Sequence, residues 1–208
     1  MNKQPYLTLS QTVKNEIPAI KGSRFIALAF PVDGNETAMV RLSGIKTKYS
    51  DARHHCWAYR LCSQKKTRFA DDGEPTGSAG KPILAPIVGR DLLDVMVVVI
   101  RYFGGVKLGV GGLVRAYSQA TNDVLSLAEA QQVIVRIIPK ITLQLIYSYN
   151  DTGHIAAALS SLAVSEKNSR YTDRVVSEID VVPDQLIEVK RCLKNYTAGR
   201  IHIKSLNK

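Results

Sequence analysis

Three stretches of the chain combine charged, aromatic and glycine residues in patterns that can do chemistry. They are DARHHCWAY at residues 51–59, DDGEPTGSAGKP at 71–82 and VIRYFGGVKLGVGGLVRAY at 99–117. Backbone amides next to glycines can bind anions. Carboxylates can bind hard cations or transfer protons. Cations interleaved with aromatic rings can bind nucleic acid.

The third stretch places glycines between an apolar run and a helical pattern. Gly104 and Gly105 come first, and further glycines lead into the helix. Amides at a helix start can approach an anion closely, and the helix dipole favours negative charge there. The pattern is not a Walker A loop, and Val114 stands where the dinucleotide-binding motif has its third glycine. Two interpretations stay open, which are anion contact and helix–strand packing too close for a side chain.

The second stretch offers three carboxylates, Asp71, Asp72 and Glu74. They can bind a hard cation or act as acid and base. They can equally anchor the loop by pairing with Arg53, Arg101 or Lys81, since buried unpaired carboxylates are costly. Contact with a ligand is the third alternative.

The first stretch carries two adjacent histidines. On a strand, His54 and His55 point to opposite faces, so only one of them can join a given site. One histidine with one carboxylate supplies only two ligands, which makes a weak metal site. Nothing nearby lowers the pKa of the Cys56 thiol, so a Cys–His nucleophile is not favoured. We expect no metal, no cofactor and no catalytic residue.

Cations alternate with aromatic residues in the third stretch. Arg101 precedes Tyr102 and Phe103, and Lys107 and Arg115 follow. Such a surface suits phosphate contact with base stacking. Lys107 lies in the turn, so we expect it to be exposed. Arg115 should lie off the apolar helix stripe. The candidate ligand- or RNA-binding residues are Arg53, His54, His55, Asp71, Asp72, Glu74, Lys81, Arg101, Tyr102, Gly104, Gly105, Lys107 and Arg115.

The elements that position these residues can be predicted from apolar periodicity. Strands are expected at residues 24–30 and 55–61, with a helix between them that follows a turn at Asp33–Gly34 and has Asn35 as N-cap. The polar segment 62–78 is expected to be a long loop, followed by a short helix that Ser78 caps and Pro86 bends. Residues 94–103 form the strongest strand, a central one, and a helix follows from Leu113 to about Ala130.

The second half of the chain has a different pattern. Strand and helix signals follow in the order β-α-β-β-α-β, which indicates a ferredoxin-like unit. We place the domain boundary near residue 134, giving domains 1–134 and 135–208. We expect order to be poor only in about the first ten residues and the last few.

Composition narrows the class of protein. The 208 residues carry a net charge of +10, which favours polyanionic partners. Cys56, Cys62 and Cys192 are too few for a disulfide framework and contain no CxxC pair for zinc. The first thirty residues lack a signal-peptide pattern, and no apolar run is long enough to span a membrane. The expectation is a cytoplasmic protein with reduced thiols and no membrane partner.

Taken together, the motifs resemble the IMPACT/YigZ family of small conserved proteins. The matching segments are KGSRFIA at residues 21–27, DARHHCWAY, DDGEPTGSAGKPIL and VVVIRYFGGVKLGVGGLVRAY, in the family's order and spacing. They cover the first domain almost completely, and the second half is similar to the smaller domain of bacterial members. Ser78, Gly22 and Pro86 depart mildly from the family pattern.

The resemblance implies an α+β protein of two α/β sandwich domains. The first domain would be like domain four of elongation factor G, and the second would be a ferredoxin-like βαββαβ domain similar to domain five of that factor. Eukaryotic relatives regulate translation initiation by opposing activation of the amino-acid-starvation kinase. They do so with an added N-terminal partner-binding domain that the matching segments here do not include.

Two functions follow from the sequence. The first is a non-enzymatic protein that binds RNA or the ribosome and regulates translation. The alternative is an enzyme acting on a phosphorylated small molecule or nucleotide, an anionic ligand held by the glycine-rich loop with Asp71, Asp72 or Glu74 binding Mg²⁺ or acting as base.

Overall fold

The computed structural model describes residues 4–62 and 66–206. The strands are β1 (Tyr6–Leu9), β2 (Val13–Ile20), β3 (Ser23–Pro31), β4 (His54–Arg60), β5 (Thr67–Ala70), β6 (Val95–Tyr102), β7 (Ile134–Ile137), β8 (Ile141–Tyr147), β9 (Glu166–Tyr171), β10 (Val175–Val181) and β11 (His202–Ser205). The helices are α1 (Asn35–Lys48), α2 (Gly80–Gly89), α3 (Val110–Ala130), α4 (Thr152–Ser161) and α5 (Leu186–Tyr196).

The first compact unit, residues 6–137, is built on a five-stranded antiparallel sheet in the order β2-β3-β6-β4-β5. The predicted central strand is confirmed, because β6 pairs with β3 on one side and β4 on the other. Its alternate side chains enter two separate cores. Val95, Val97 and Val99 pack on the side of α2 and α3, whereas Met96, Val98 and Ile100 pack on the side of α1. The sheet is therefore covered on both faces.

The starts of all three helices of this unit differ from those predicted from the sequence. Gly34, rather than Asn35, occupies the N-cap of α1. The Asn35 side chain is used elsewhere, since its Oδ1 accepts a hydrogen bond from the Tyr59 hydroxyl at 2.8 Å. Helix α3 begins at Val110, three residues before the predicted start, and buries the predicted stripe through Leu113 and Tyr117. Ser78 does not cap α2.

Three strands of this unit were not predicted from the sequence. Segment 62–78, expected to be a long loop, contains β5, which pairs with β4. Residues 63–65 of that segment lie outside the described residues. The first ten residues contain β1, which pairs with β7 at the other end of the unit. Strand β2 is an edge strand with exposed polar positions, so it lacks the strong apolar alternation that reveals a half-buried strand.

The second unit comprises residues 138–208, described to residue 206. Its antiparallel sheet has the order β11-β8-β10-β9. One sheet face, with Leu143, Leu145 and Ile179, packs on Ile155 of α4 and Val189 of α5. This is the predicted ferredoxin-like β-α-β-β-α-β arrangement, and the protein is α+β with two units.

The division between the units lies between Ile137 and Ile138. The sequence pattern placed the boundary near residue 134, where β7 starts. Strand β7 belongs with the first unit because its four residues pair with β1. No helix in the described ranges has both the length and the apolar character needed to cross a bilayer.

Candidate functional site

The three chemistry-bearing stretches meet at one edge of the first unit's sheet. Because the strands are antiparallel, the end of β6 lies beside the beginnings of β3 and β4. Arg101 is in register with Phe25 on one side and His54 on the other, and Tyr102 is in register with Arg24. The second stretch reaches the same edge through Glu74, which contacts Arg101. All three stretches therefore lie at the same edge of the sheet.

A buried ion pair lies at the centre of this edge. Arg101 Nη1 donates to Glu74 Oε1 at 2.7 Å, and the two side chains are only 6% and 4% exposed. The Tyr117 hydroxyl from α3 donates to the same oxygen at 2.8 Å, and Arg101 Nη2 donates to Ser23 Oγ at 3.2 Å. The pair thus links strands β3 and β6, helix α3 and the loop before α2.

Aromatic rings surround the Arg101 guanidinium. Its carbon lies 5.6 Å from the ring centre of Phe25 and 5.5 Å from that of Phe103. Cation–π contact of this kind is strengthened where water is excluded. Arg101 is therefore held by a carboxylate, a hydroxyl and two rings, and it positions Phe103 at the start of the glycine-rich loop.

Asp71 binds backbone rather than a cation. Its carboxylate accepts N–H groups from Gly77 at 2.8 Å, Ala79 at 3.0 Å and Gly80 at 2.8 Å. Burial raises the pKa of the Asp71 carboxyl, but these N–H groups outweigh burial, so the pKa is lowered overall. Asp71 therefore stabilises the start of α2, the role that the sequence interpretation gave to Ser78.

Asp72 ties helix α1 to the beginning of β4. Lys46 Nζ donates to Oδ1 at 2.7 Å, and the backbone N–H of His55 donates to Oδ2 at 2.8 Å. Burial raises the pKa of the Asp72 carboxyl, but the hydrogen bonds from Lys46 and the His55 N–H lower it by a larger amount. The pKa is therefore below its usual value overall. Asp72 adopts the left-handed region at φ 43°, where aspartate is one of the more tolerant residues.

The predicted pairing of the loop carboxylates is only partly right. Glu74 pairs with Arg101 as expected. Asp71 uses backbone N–H groups and Asp72 uses Lys46, a partner that the sequence did not indicate. Arg53 and Lys81 are exposed. All three carboxylates thus serve contacts within the unit, and within residues 4–62 and 66–206 no three His, Cys, Asp or Glu side chains come together as a metal site.

The two histidines bind different carbonyl groups. His54 Nδ1 lies 3.0 Å from the Asp72 carbonyl oxygen, and His55 Nε2 lies 3.0 Å from that of Tyr49. Each ring therefore holds one local turn.

Tyr102 bonds through its hydroxyl to Asp51 Oδ1 at 2.8 Å, and the centre of its ring lies 5.3 Å from the Arg24 guanidinium carbon.

Cys56 is buried beneath this network. Its Sγ lies 2.9 Å from the Asp71 carbonyl oxygen and 3.3 Å from the Tyr117 hydroxyl. Burial raises the pKa of the Cys56 thiol to about 12. A thiol is nucleophilic only as the thiolate, so this position suits packing and weak hydrogen bonding.

Close backbone packing explains Gly104. A Cβ atom there would overlap the carbonyl group of Gly22, at the turn that precedes β3. The Gly104 N–H donates to Ser23 Oγ at 3.2 Å. Gly105 has a φ of 87°, which other residues rarely adopt. Of the two interpretations of this stretch, packing accounts for Gly104.

The loop beyond this packed base presents cations and apolar side chains to solvent. We call residues 103–115 the loop surface. Lys107 and Arg115 are both exposed, as expected from their places in the turn and off the α3 stripe. The exposed apolar side chains of the loop surface are Phe103, Val106, Val110 and Val114. Most of the candidate residues are therefore structural supports, whereas Lys107 and Arg115 on the loop surface are exposed to solvent.

Two supports of the buried pair were not among the candidate residues. Ser23 lies within the KGSRFIA segment, and Tyr117 was assigned to the apolar helix stripe. Both hydroxyls bond to the pair. A tyrosine in an apolar stripe needs a hydrogen-bond partner when buried, which is a signal that could have linked Tyr117 to a carboxylate.

The fold and this edge define a two-unit α+β protein whose first unit fixes a cationic, glycine-rich loop over a buried Arg–Glu pair. The Impact N-terminal domain matches residues 21–125. The chain is 33% identical over 190 residues to IMPACT family member YigZ of Escherichia coli strain K12, covering 90% of this chain and 91% of that protein. This protein belongs to the IMPACT family.

Other relatives extend the comparison. IMPACT family member YvyE of Bacillus subtilis strain 168 is 32% identical, with 96% of this chain and 90% of that protein covered. Protein IMPACT of Xenopus laevis is 41% identical over 64 residues, which is 30% of this chain and 20% of that protein. A crystal structure described as that of a hypothetical protein aligns with a TM-score of 0.70 and 31% identity over 98% of both chains.

Proposed function

We propose that this protein binds RNA on the ribosome through the loop surface and thereby regulates translation in the cytoplasm. The observation that carries the proposal is the contrast within one segment. Arg101 and Gly104 are fixed by buried contacts. Lys107 and Arg115 follow a few residues later, and their side chains are exposed to solvent.

Charge supports RNA as the ligand. The chain carries +10 overall, and exposed Lys and Arg side chains contact phosphates without reading sequence. Phe103 is 47% exposed and lies at the start of the same surface, where a base can stack on it. Cations beside an exposed ring are the combination that sequence-tolerant RNA-binding proteins use.

The enzyme alternative requires free carboxylates beside the glycine loop. Asp71 is bound to three N–H groups, Asp72 to Lys46 and Glu74 to Arg101. Releasing any of them for a metal ion would break a contact that holds the loop or a helix start. The RNA proposal needs no such rearrangement, since its cations already face solvent.

A role in translation is supported by family membership. The chain is similar to Protein IMPACT of Xenopus laevis within the first unit's family domain. The family resemblance implies that eukaryotic relatives regulate initiation with a further domain, and only 20% of Protein IMPACT of Xenopus laevis is matched here, so the part proposed for this chain is ribosome contact by the shared domain. A basic binding surface on a rigid sheet edge suits that part.

The direct test is the salt dependence of RNA binding. Lys107→Gln with Arg115→Gln should flatten the slope of log affinity against log salt by about 1.4, because each phosphate contact on single-stranded RNA contributes about 0.7. The charge-matched control is Arg191→Gln with Lys194→Gln on α5, both exposed cations of the second unit. Equal slopes for the two double variants would contradict the proposed surface.

A further inference from the structure

A groove of about 260 Å³ lies on the other face of the first unit's sheet. It runs between α1 and strands β2 and β3. A single helix covers this face of a five-stranded sheet, so the edge near β2 stays open. Helix α3, which carries Arg115, packs on the opposite face. The groove is therefore distinct from the loop surface.

The groove has an apolar floor and a cationic rim. Its floor consists of Leu28, Phe30 and Ile45, and three cations, Lys14, Arg41 and Lys48, rise around them. Thr12, Gly44 and Tyr49 complete the lining, all of which lies in the described ranges and contains no Asp or Glu. The groove thus attracts an anion that also has an apolar body.

Among the described residues, these three cations contact aromatic rings and form no ion pair, and Arg41 Nη1 also donates to Thr12 Oγ1 at 3.4 Å. Lys14 and Lys48 lie 5.7 and 5.8 Å from the ring centre of Tyr49, and Arg41 lies 5.2 Å from that of Phe30. Such contacts are weak at exposed sites. A phosphate can therefore draw each cation away from its ring at little cost, and a base can take the place it leaves.

We propose that this groove binds one nucleotide of a single-stranded RNA segment, with the base against Leu28 and Ile45 and the flanking phosphates on Lys14, Arg41 and Lys48. The inference rests on the proposed function only in taking RNA as the ligand. The compact floor between cations matches a flat base between two phosphates, whereas an acidic helix needs a longer apolar strip. The groove would hold a single-stranded segment while the loop surface contacts a separate part of the RNA.

Gly44 allows a sharp test because it lines the groove without making a needed contact. A Cβ there meets no atom within 4 Å, and replacing a glycine inside a helix raises helix propensity. Gly44→Phe should fill the groove, and Gly44→Ala is the matched control. The measurement is fluorescence anisotropy with a labelled single-stranded oligonucleotide of about 12 nucleotides.

We expect Gly44→Phe to weaken binding about ten-fold, which corresponds to losing one base contact. Gly44→Ala should bind within about two-fold of wild type. Unchanged affinity in Gly44→Phe would overturn the inference. If that variant does not fold, Lys14→Gln with Lys48→Gln replaces it, compared with Arg191→Gln and Lys194→Gln. The inference then requires a greater loss of affinity in the groove variant, and equal losses overturn it.

Photo-crosslinking to 4-thiouridine RNA separates this inference from the proposed function. Crosslinks in peptides containing Leu28 or Tyr49 support the groove, and crosslinks confined to residues 103–115 leave the proposed function standing while overturning the inference. Absence of RNA binding by wild type overturns both. Oligoglutamate of the same charge serves as the competing ligand. If it binds as tightly as RNA and with the same sensitivity to Gly44→Phe, an acidic peptide is the occupant and the inference fails.

Discussion

Glu74 Oε1 lies 2.7 Å from Nη1 of Arg101, and both side chains are almost fully buried although they come from segments 27 residues apart. A buried ion pair gains little over apolar packing, but removing one partner leaves the other charge without compensation. The pair therefore fixes the contact between the loop before α2 and the end of β6. The loop surface begins directly after this contact.

Breaking this pair should be costly. Glu74→Gln should lower the free energy of unfolding by about 3–5 kcal/mol, because the Arg101 charge stays buried without its carboxylate. Urea denaturation measures the change. The control is Glu16→Gln, which removes an exposed pair with Arg24 and should cost less than about 1 kcal/mol. Similar costs for the two variants would show that burial does not govern the contribution of this pair.

Asp71 should make stability depend on pH in a defined direction. Its pKa in the folded protein is lowered, so its contribution is complete above the unfolded-state value of about 3.9 and is lost as pH falls through the folded value. The stability difference between wild type and Asp71→Asn should therefore be largest near neutral pH and shrink below about pH 4. Thermal unfolding across pH measures it, with exposed Asp184→Asn as control. A pH-independent difference would contradict this role.

Gly104 should not tolerate a side chain. Gly104→Ala places a methyl group against the Gly22 backbone, so the loop or the turn before β3 must move. We expect lower stability and weaker RNA binding together. Gly44→Ala, at an open position, should match or exceed wild type in melting temperature. If Gly104→Ala behaves like Gly44→Ala, backbone packing does not explain the glycine.

Cys56 should be protected from thiol reagents in the folded protein. With a pKa raised to about 12 by burial, it is almost entirely protonated at pH 8. Iodoacetamide followed by peptide mass spectrometry should label Cys62 and Cys192, which are partly exposed, before Cys56. Labelling of Cys56 at their rate without unfolding would contradict the buried arrangement.

The strong elements of the fold could be predicted from sequence because their apolar periodicity is complete. Strand β6 is apolar over almost its whole length and is buried on both faces, and helix α3 buries one continuous stripe. Strands β1, β2 and β5 could not be found in the same way. Their pairing depends on partners distant in sequence, such as Tyr6 with Ile137, and local patterns carry no such information.

The candidate site could be located but its bonds could not be assigned. Residue types marked Arg101, Glu74 and Asp72 as candidates, and the structure has them at one sheet edge. Which carboxylate met which partner depended on loop geometry. Asp72 uses a left-handed conformation and reaches Lys46 on α1, a contact that no spacing along the chain indicates. The groove beside α1 was equally invisible, because it results from one helix covering a wide sheet.

Co-sedimentation with bacterial ribosomes tests the central claim most directly. Wild-type protein should pellet with ribosomes at about 50 mM salt and largely dissociate by about 200 mM, as phosphate-dominated binding requires. Lys107→Glu with Arg115→Glu should abolish pelleting at low salt while leaving the melting temperature unchanged, whereas Arg191→Glu with Lys194→Glu should pellet like wild type. If wild-type protein stays in the supernatant at low salt, or if both double variants pellet equally well, the loop surface does not bind the ribosome.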